Sequence, residues 1–270
     1  MAWANRAGVR LYWESTGEGD PVLLIMGLGM NATGWWRTVP VLSEGLRVIA
    51  FDNRGVGRSD RPPGPYGVAQ MADDAVAVLD AADLPAANVY GASLGGMIAQ
   101  EVALRHPERV ARLVLGATTS GGAHAVAADE RARAFFARRA VMSAEEAVWA
   151  SVPYNYGPAT RIDAGQRIAQ DIEQRLRFPI ETEPYTAQLT AALGHDTSTR
   201  LGDIRHRTLV VHGELDVMVP PENGRLLSEH LPDARLHLLP GAGHLYFTDS
   251  PDADEEVLRF LSAPSSRGPS

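Results

Sequence analysis

No cysteine occurs in the 270 residues, and no lysine; all 25 basic residues are arginine. Without cysteine there is no disulfide framework, no thiolate nucleophile and no thiolate-ligated metal. Without lysine, Schiff-base chemistry and lysine-assisted cyanohydrin cleavage are excluded. No apolar run reaches the length that spans a bilayer, and Met1 to Arg6 lack the apolar stretch of a signal peptide. Positive charge is also in short supply. Thirty-three acids against 25 arginines leave a net −8, which disfavours nucleic acid as a partner. The expectation is a cytoplasmic protein with no membrane and no nucleic-acid partner; its oligomeric state is not legible. Hydrophobic content of 45% and charged content of 21% are those of a globular chain, and the length suits one domain carrying an insertion.

What is present starts with Gly91-Ala92-Ser93-Leu94-Gly95. It reads G-x-S-x-G, preceded by the strand-like Ala87-Asn88-Val89-Tyr90 and followed by a helix-like run from Leu94 to Arg105. A serine on a tight strand-to-helix turn projects its hydroxyl from the sheet edge, and glycines relieve the crowding that turn creates. The following helix N-terminus offers free N–H groups to a developing oxyanion. Two further segments repeat the arrangement. Thr208 to Gly213 reads as a buried strand leading into Glu214-Leu215-Asp216, and Arg235 to Pro240 as another leading into Gly241-Ala242-Gly243-His244. Ser93, Asp216 and His244 thus each follow the C-terminal end of a strand, the edge at which open α/β sheets bind ligands.

Strands are also read at residues 9–14, 22–27, 47–52 and 112–117, with an apolar helical stripe of Val68, Met71, Ala72, Ala75, Val76 and Leu79. Strands separated by helices imply a mostly parallel sheet. From residue 121 to 200 no strand-like run occurs; helical stretches are expected at Asp129–Ala140, Ala144–Ala150 and Ile162–Leu176, and a last helix at Asp252–Leu261. The division expected is a core of 1–120 and 201–262, a helical insertion of 121–200, and a small polar disordered tail of 263–270.

Five segments in order carry a resemblance: Leu23 to Gly29, Asp52 to Ser59, the Ser93 turn, Gly213 to Asp216, and Gly243-His244. The chain resembles the α/β-hydrolase fold superfamily, serine esterase and lactonase type, including enol-lactonase and polyketide methyl esterase relatives. The family's usual His-Gly after the third strand is Met26-Gly27 here. The resemblance implies a mostly parallel eight-stranded sheet flanked by helices, with the insertion as a helical cap. It also makes Asp52 to Gly57 a structural turn, a segment that lacks the phosphate-loop pattern.

Ser93 is the candidate nucleophile, which needs an adjacent base. His244 is the candidate base: His230 falls in a helix and His237 in a strand, whereas His244 lies in a glycine-rich loop. Asp216 matches the family's Gly-x-x-Asp turn and is the candidate acid, with Glu214 as its rival. The oxyanion hole is expected from the backbone N–H of Leu94 and, by resemblance, of Leu28. Trp35, Trp36, Phe135, Phe136, Trp149, Tyr154, Tyr156 and Tyr185 are candidate pocket walls, with Trp149, Tyr154 and Tyr156 foremost because their segment is irregular; Tyr246 and Phe247, which follow His244, are candidates to line the acid or alcohol side of the pocket. No cofactor and no metal are expected. The reading is hydrolysis of small to medium apolar carboxylic esters or lactones through an acyl-enzyme. C–C bond hydrolysis, perhydrolase or haloperoxidase-like activity, and a ligand receptor on the same fold are the alternatives.

Overall fold

A computed structural model describes residues 2–139 and 141–263. One sheet organises the chain, built from β1 (Ala2–Arg6), β2 (Val9–Thr16), β3 (Asp20–Ile25), β4 (Leu46–Phe51), β5 (Ala87–Ala92), β6 (Val110–Gly116), β7 (Thr208–Gly213) and β8 (Ala234–Leu239). The strand order is β1-β2-β4-β3-β5-β6-β7-β8. β2 pairs antiparallel with β1 and β4, and every other pairing is parallel. β1 was not among the strands expected from the sequence. It is a short edge strand closed by a turn in which Ala7 and Gly8 both take positive φ, and alanine in such a position hides the turn signal.

Parallel strands need both faces covered, and alternate residues serve the two faces. Leu23, Ile25 and Val89 face one core together with Leu79 and Ile98, which come from α2 (Val68–Ala81) and α3 (Leu94–Arg105). Val22, Leu24 and Tyr90 face the other, with Leu42 at the end of α1 (Thr38–Leu42) and Phe260 near the C-terminus. β3 lies between β4 and β5, so the chain leaves it first to one side and then to the other. That reversal opens a crevice at the C-terminal ends of β3 and β5.

Between β6 and β7 run α4 (Glu130–Arg139), α5 (Ala144–Ala150), α6 (Val152–Asn155), α7 (Pro158–Asp163), α8 (Gly165–Leu176) and α9 (Thr182–Leu193). α5 starts where a capping box sets it: Ser143 Oγ accepts from the Glu146 amide, and Glu146 Oε2 accepts from the Ser143 amide. The single helix expected over 162–176 is two, because the chain leaves helical geometry at Ala164. The ends of the segment meet at an isolated antiparallel bridge between Gly121 and Asp196. α10 (Pro221–His230), α11 (Tyr246–Asp249) and α12 (Asp252–Ser262) complete the chain. The tail expected over 263–270 lies, apart from Ala263, outside the described residues.

The turn after β4 is held from inside. Asp52 Oδ1 accepts from the Ala32 amide and Oδ2 from the Arg58 amide, both at 2.8 Å. Arg54 Nε and Nη2 donate to Asp74 at 2.6 and 2.7 Å, a buried bidentate pair. The two glycines around Ser93 are required by close approach. A Cβ on Gly95 would collide with the Ile25 carbonyl, and one on Gly91 with the Gly95 carbonyl. Neither neighbour is a flexible side chain, so Gly95→Ala is expected to destabilise the fold by about 3 kcal/mol, read from urea unfolding. A change below about 0.5 kcal/mol would show that β3 and α3 part readily.

Candidate active site

Ser93 sits at the hinge between β5 and α3 with φ 56° and ψ −122°, a backbone conformation that costs a non-glycine residue free energy. The surroundings hold it there. Its amide donates to the Gly116 carbonyl at 2.8 Å, and its own carbonyl accepts from Thr118 Oγ1 at 2.7 Å. Gly27 closes the site from β3, since a Cβ there would stand 2.9 Å from Ser93 Cβ.

His244 lies in the loop after β8, with Nε2 3.1 Å from Ser93 Oγ and Nδ1 2.7 Å from Asp216 Oδ2. A carboxylate only accepts, so Nδ1 carries the proton and Nε2 is left to accept from the serine hydroxyl. Asp216 is fully buried in the loop after β7, and its Oδ1 accepts from the Met218 and Val219 amides, each at 2.9 Å. Burial works against its charge, yet the nearby His244 charge and the hydrogen bonds from His212 and His244 hold its pKa down to about 2. Glu214, the rival, is exposed and does not reach His244.

Sequence reasoning did not single out His212. Its Nε2 donates to the Val219 carbonyl at 2.8 Å and stands 3.5 Å from Asp216 Oδ2, so it braces the loop that carries the carboxylate. Gln188 was also missed. From α9 it accepts the Gly29 amide at 2.9 Å and donates to the Arg54 carbonyl at 2.8 Å, pinning the Gly27–Gly29 loop to the helical segment. Neither has a local sequence signal, because each works across more than a hundred residues or through a carbonyl. The amides of Leu28 and Leu94 make no hydrogen bond among the described residues, and both residues line the same cavity as Ser93 and His244.

That cavity measures about 650 Å³, the size of a small-molecule site. Its walls join the sheet edge to the helical segment: Met97, Phe135, Val148, Tyr185 and Leu189 are among them. The foremost aromatics expected from the sequence are placed elsewhere, which corrects the pocket reading. Trp149 is 53% exposed and off the cavity. Tyr154 stacks on the far side of Phe135 at 5.1 Å. The Tyr156 hydroxyl donates to Asp171 Oδ2 at 3.2 Å. Tyr246 is turned beneath the sheet edge, its hydroxyl 2.5 Å from that of Tyr90 and packed over Gly116. The hydroxyls of Tyr156 and Tyr246 are bonded within the fold, whereas Phe135 and Phe136 line the cavity. Phe135→Ala is therefore expected to reorder a ranking of ester substrates, while Trp149→Ala leaves each rate within about twofold. Parallel kinetics on a graded set of acyl lengths check this, and equal effects would place Trp149 at the cavity.

No group of three His, Asp or Glu side chains among the described residues is placed to hold a metal ion, and no helix among them is long and apolar enough to cross a membrane.

A family profile described as the alpha/beta hydrolase fold matches residues 20–251. A Variovorax paradoxus protein bearing the name carbamate hydrolase RutD is 36% identical, over 96% of this chain and 98% of that one. A 2-hydroxymuconate semialdehyde hydrolase of a Pseudomonas species is 32% identical, over 88% and 85%. Among solved structures, the enol-lactonase of Burkholderia xenovorans superposes with a TM-score of 0.87 at 25% identity, over 97% of this chain and all of the other.

Proposed function

The chain belongs to the α/β-hydrolase fold family, and from that premise we propose that it is a serine hydrolase of carboxylic esters or lactones. The observation that carries this reading is the continuous relay Ser93 Oγ–His244 Nε2–Asp216 at 3.1 and 2.7 Å, opening onto the cavity. A serine hydroxyl is a weak nucleophile alone, and the relay supplies the base it needs.

In the proposed reaction, Ser93 Oγ forms a bond to the substrate carbonyl carbon while its proton passes to His244 Nε2. The carbonyl oxygen takes up the displaced electron pair and is met by the amides of Leu28 and Leu94. Asp216, ionised and fixed by two loop amides, stabilises the imidazolium and keeps the ring in one orientation. The tetrahedral species collapses as the C–O bond to the leaving group breaks and that oxygen collects the proton from Nε2. Water then enters, gives a proton to His244 and attacks the acyl-enzyme; the second collapse returns the proton to Ser93 and frees the acid.

Cleavage of a lactone follows the same steps, with the leaving alkoxide still tethered to the acyl group. The names of the related proteins extend to a carbamate, an enol-lactone and 2-hydroxymuconate semialdehyde. Turnover on matched 4-nitrophenyl esters, aliphatic lactones and carbamates separates these. The proposal expects kcat/KM for an ester or lactone to exceed that for the matched carbamate by at least about tenfold. A reversed ranking would move the assignment to carbamate hydrolysis with the same residues.

A further inference from the structure

Three arginines, Arg133, Arg139 and Arg175, line the cavity, and among the described residues no aspartate or glutamate does. Arg139 is the unusual member. It is the last residue of α4 and only 8% exposed, yet its guanidinium has no hydrogen bond and no carboxylate within 4 Å among the described residues. A guanidinium keeps its charge under all ordinary conditions and presents five donors in a fixed fork. Leaving such a group buried and unpaired is costly.

Its position at a helix C-terminus does not explain the burial. The interaction with the helix dipole is worth under about 1 kcal/mol and is open to the exposed Arg138 beside it. What the fold does is aim Arg139. Its Cζ stands 4.7 Å from the centre of the Tyr185 ring, which also lines the cavity, and this face-on contact holds the fork in place. Arg175, from α8, is steered in the same direction. One of its nitrogens donates to Ser151 Oγ at 3.0 Å, and it forms no ion pair among the described residues. Asp171, four residues earlier on α8, is committed to Arg37, Trp36, Tyr156 and Thr248. Burial presses the Arg139 guanidinium below its ordinary pKa, and the charge of Arg175 adds a smaller push in the same direction.

We infer that Arg139, supported by Arg175, forms an anion subsite in the cavity, and that the substrate is an ester or lactone whose far end carries a carboxylate. The apolar walls between the subsite and Ser93 take the intervening carbon chain. A planar carboxylate matches the guanidinium fork and supplies the countercharge that the protein withholds. This rests on the serine hydrolase reading of the same cavity.

The test compares 4-nitrophenyl hydrogen adipate, which ends in a carboxylate, with its neutral methyl ester. Wild-type protein is expected to favour the anionic substrate by about 10- to 100-fold in kcat/KM, mainly through KM. Arg139→Met should remove that preference while keeping the neutral substrate within about threefold, and Arg139→Lys, which keeps the charge but loses the fork, should fall between. The methionine variant is expected to melt at or above the wild-type temperature, because it removes an uncompensated charge. As a second readout, monomethyl adipate should raise the melting temperature of the wild type and of Ser93→Ala, and not that of Arg139→Met. Equal substrate ratios in all three arginine-site proteins, or an equal thermal shift with and without Arg139, would overturn the subsite. If Ser93→Ala hydrolyses the neutral ester as fast as wild type, the nucleophile assignment fails instead; the thermal shift then decides the subsite alone.

Discussion

Ser93→Ala and His244→Ala are each expected to lower kcat on 4-nitrophenyl butyrate by roughly 10⁴-fold or more, the loss typical when a nucleophile or its base is deleted from a working relay. The double variant should be little worse than either single one, because the two act as a unit. Asp216→Asn should cost somewhat less, since the ring keeps its place but loses the charge that stabilises imidazolium. Glu214→Gln, altering an exposed side chain, should leave the rate unchanged. With its pKa held at about 2, Asp216 stays ionised across pH 4–9. His244 Nε2, 3.1 Å from Ser93 Oγ, is the atom that accepts the serine proton. Circular dichroism confirms that each variant is folded, and full activity in Ser93→Ala would remove the nucleophile from this role.

The largest effect on stability is expected from Asp254, far from the cavity mouth. It lies in α12 and is buried, with Oδ2 accepting from Thr38 Oγ1 at 2.8 Å and Oδ1 without a partner. Burial raises its pKa to about 7, only partly offset by the Thr38 hydrogen bond. Against an unfolded value of 3.8, the folded state binds the extra proton between pH 4 and 7. Stability from this group is full below the unfolded value and is lost as pH rises through the folded one. A shift of about three units corresponds to at most roughly 4 kcal/mol, absent at pH 8 and recovered as the pH falls to about 4. Asp254→Asn removes the ionisation. It should melt about 5 °C above wild type at pH 8 and within about 2 °C of it at pH 5. The nearby Tyr90 and Tyr246 hydroxyls are held protonated by burial and do not titrate in that window. A difference between variant and wild type that does not change with pH would show that Asp254 is neutral, or charged, throughout.

By itself the sequence determined the layered architecture, because its signals are local. Short continuous apolar runs such as Leu23–Ile25 and Leu209–Val211, each ending in a glycine turn, read as strands covered on both faces. The glycines at 91 and 95 mark a turn that admits no Cβ, and the strand ends before Ser93, Asp216 and His244 are legible from run length and glycine placement. The edge strand β1 escaped because an alanine occupies a position where glycine is the usual signal. Only the tertiary structure decided what surrounds the relay. The sequence left Glu214 and Asp216 as rivals two residues apart; the loop after β7 turns one inward and the other to solvent. Trp149, Tyr154, Tyr156 and Tyr246 carry the composition of a pocket, yet none lines the cavity: Trp149 faces solvent, Tyr154 packs on Phe135, Tyr156 is bonded to Asp171 and Tyr246 meets Tyr90. Arg139 reads in sequence as one more cation at a helix end. It stands out only once folding buries it, stacks it on Tyr185 and, among the described residues, brings no carboxylate to meet it. Periodicity records which face of an element is apolar, whereas which polar group meets which is set by packing between segments that no short window contains.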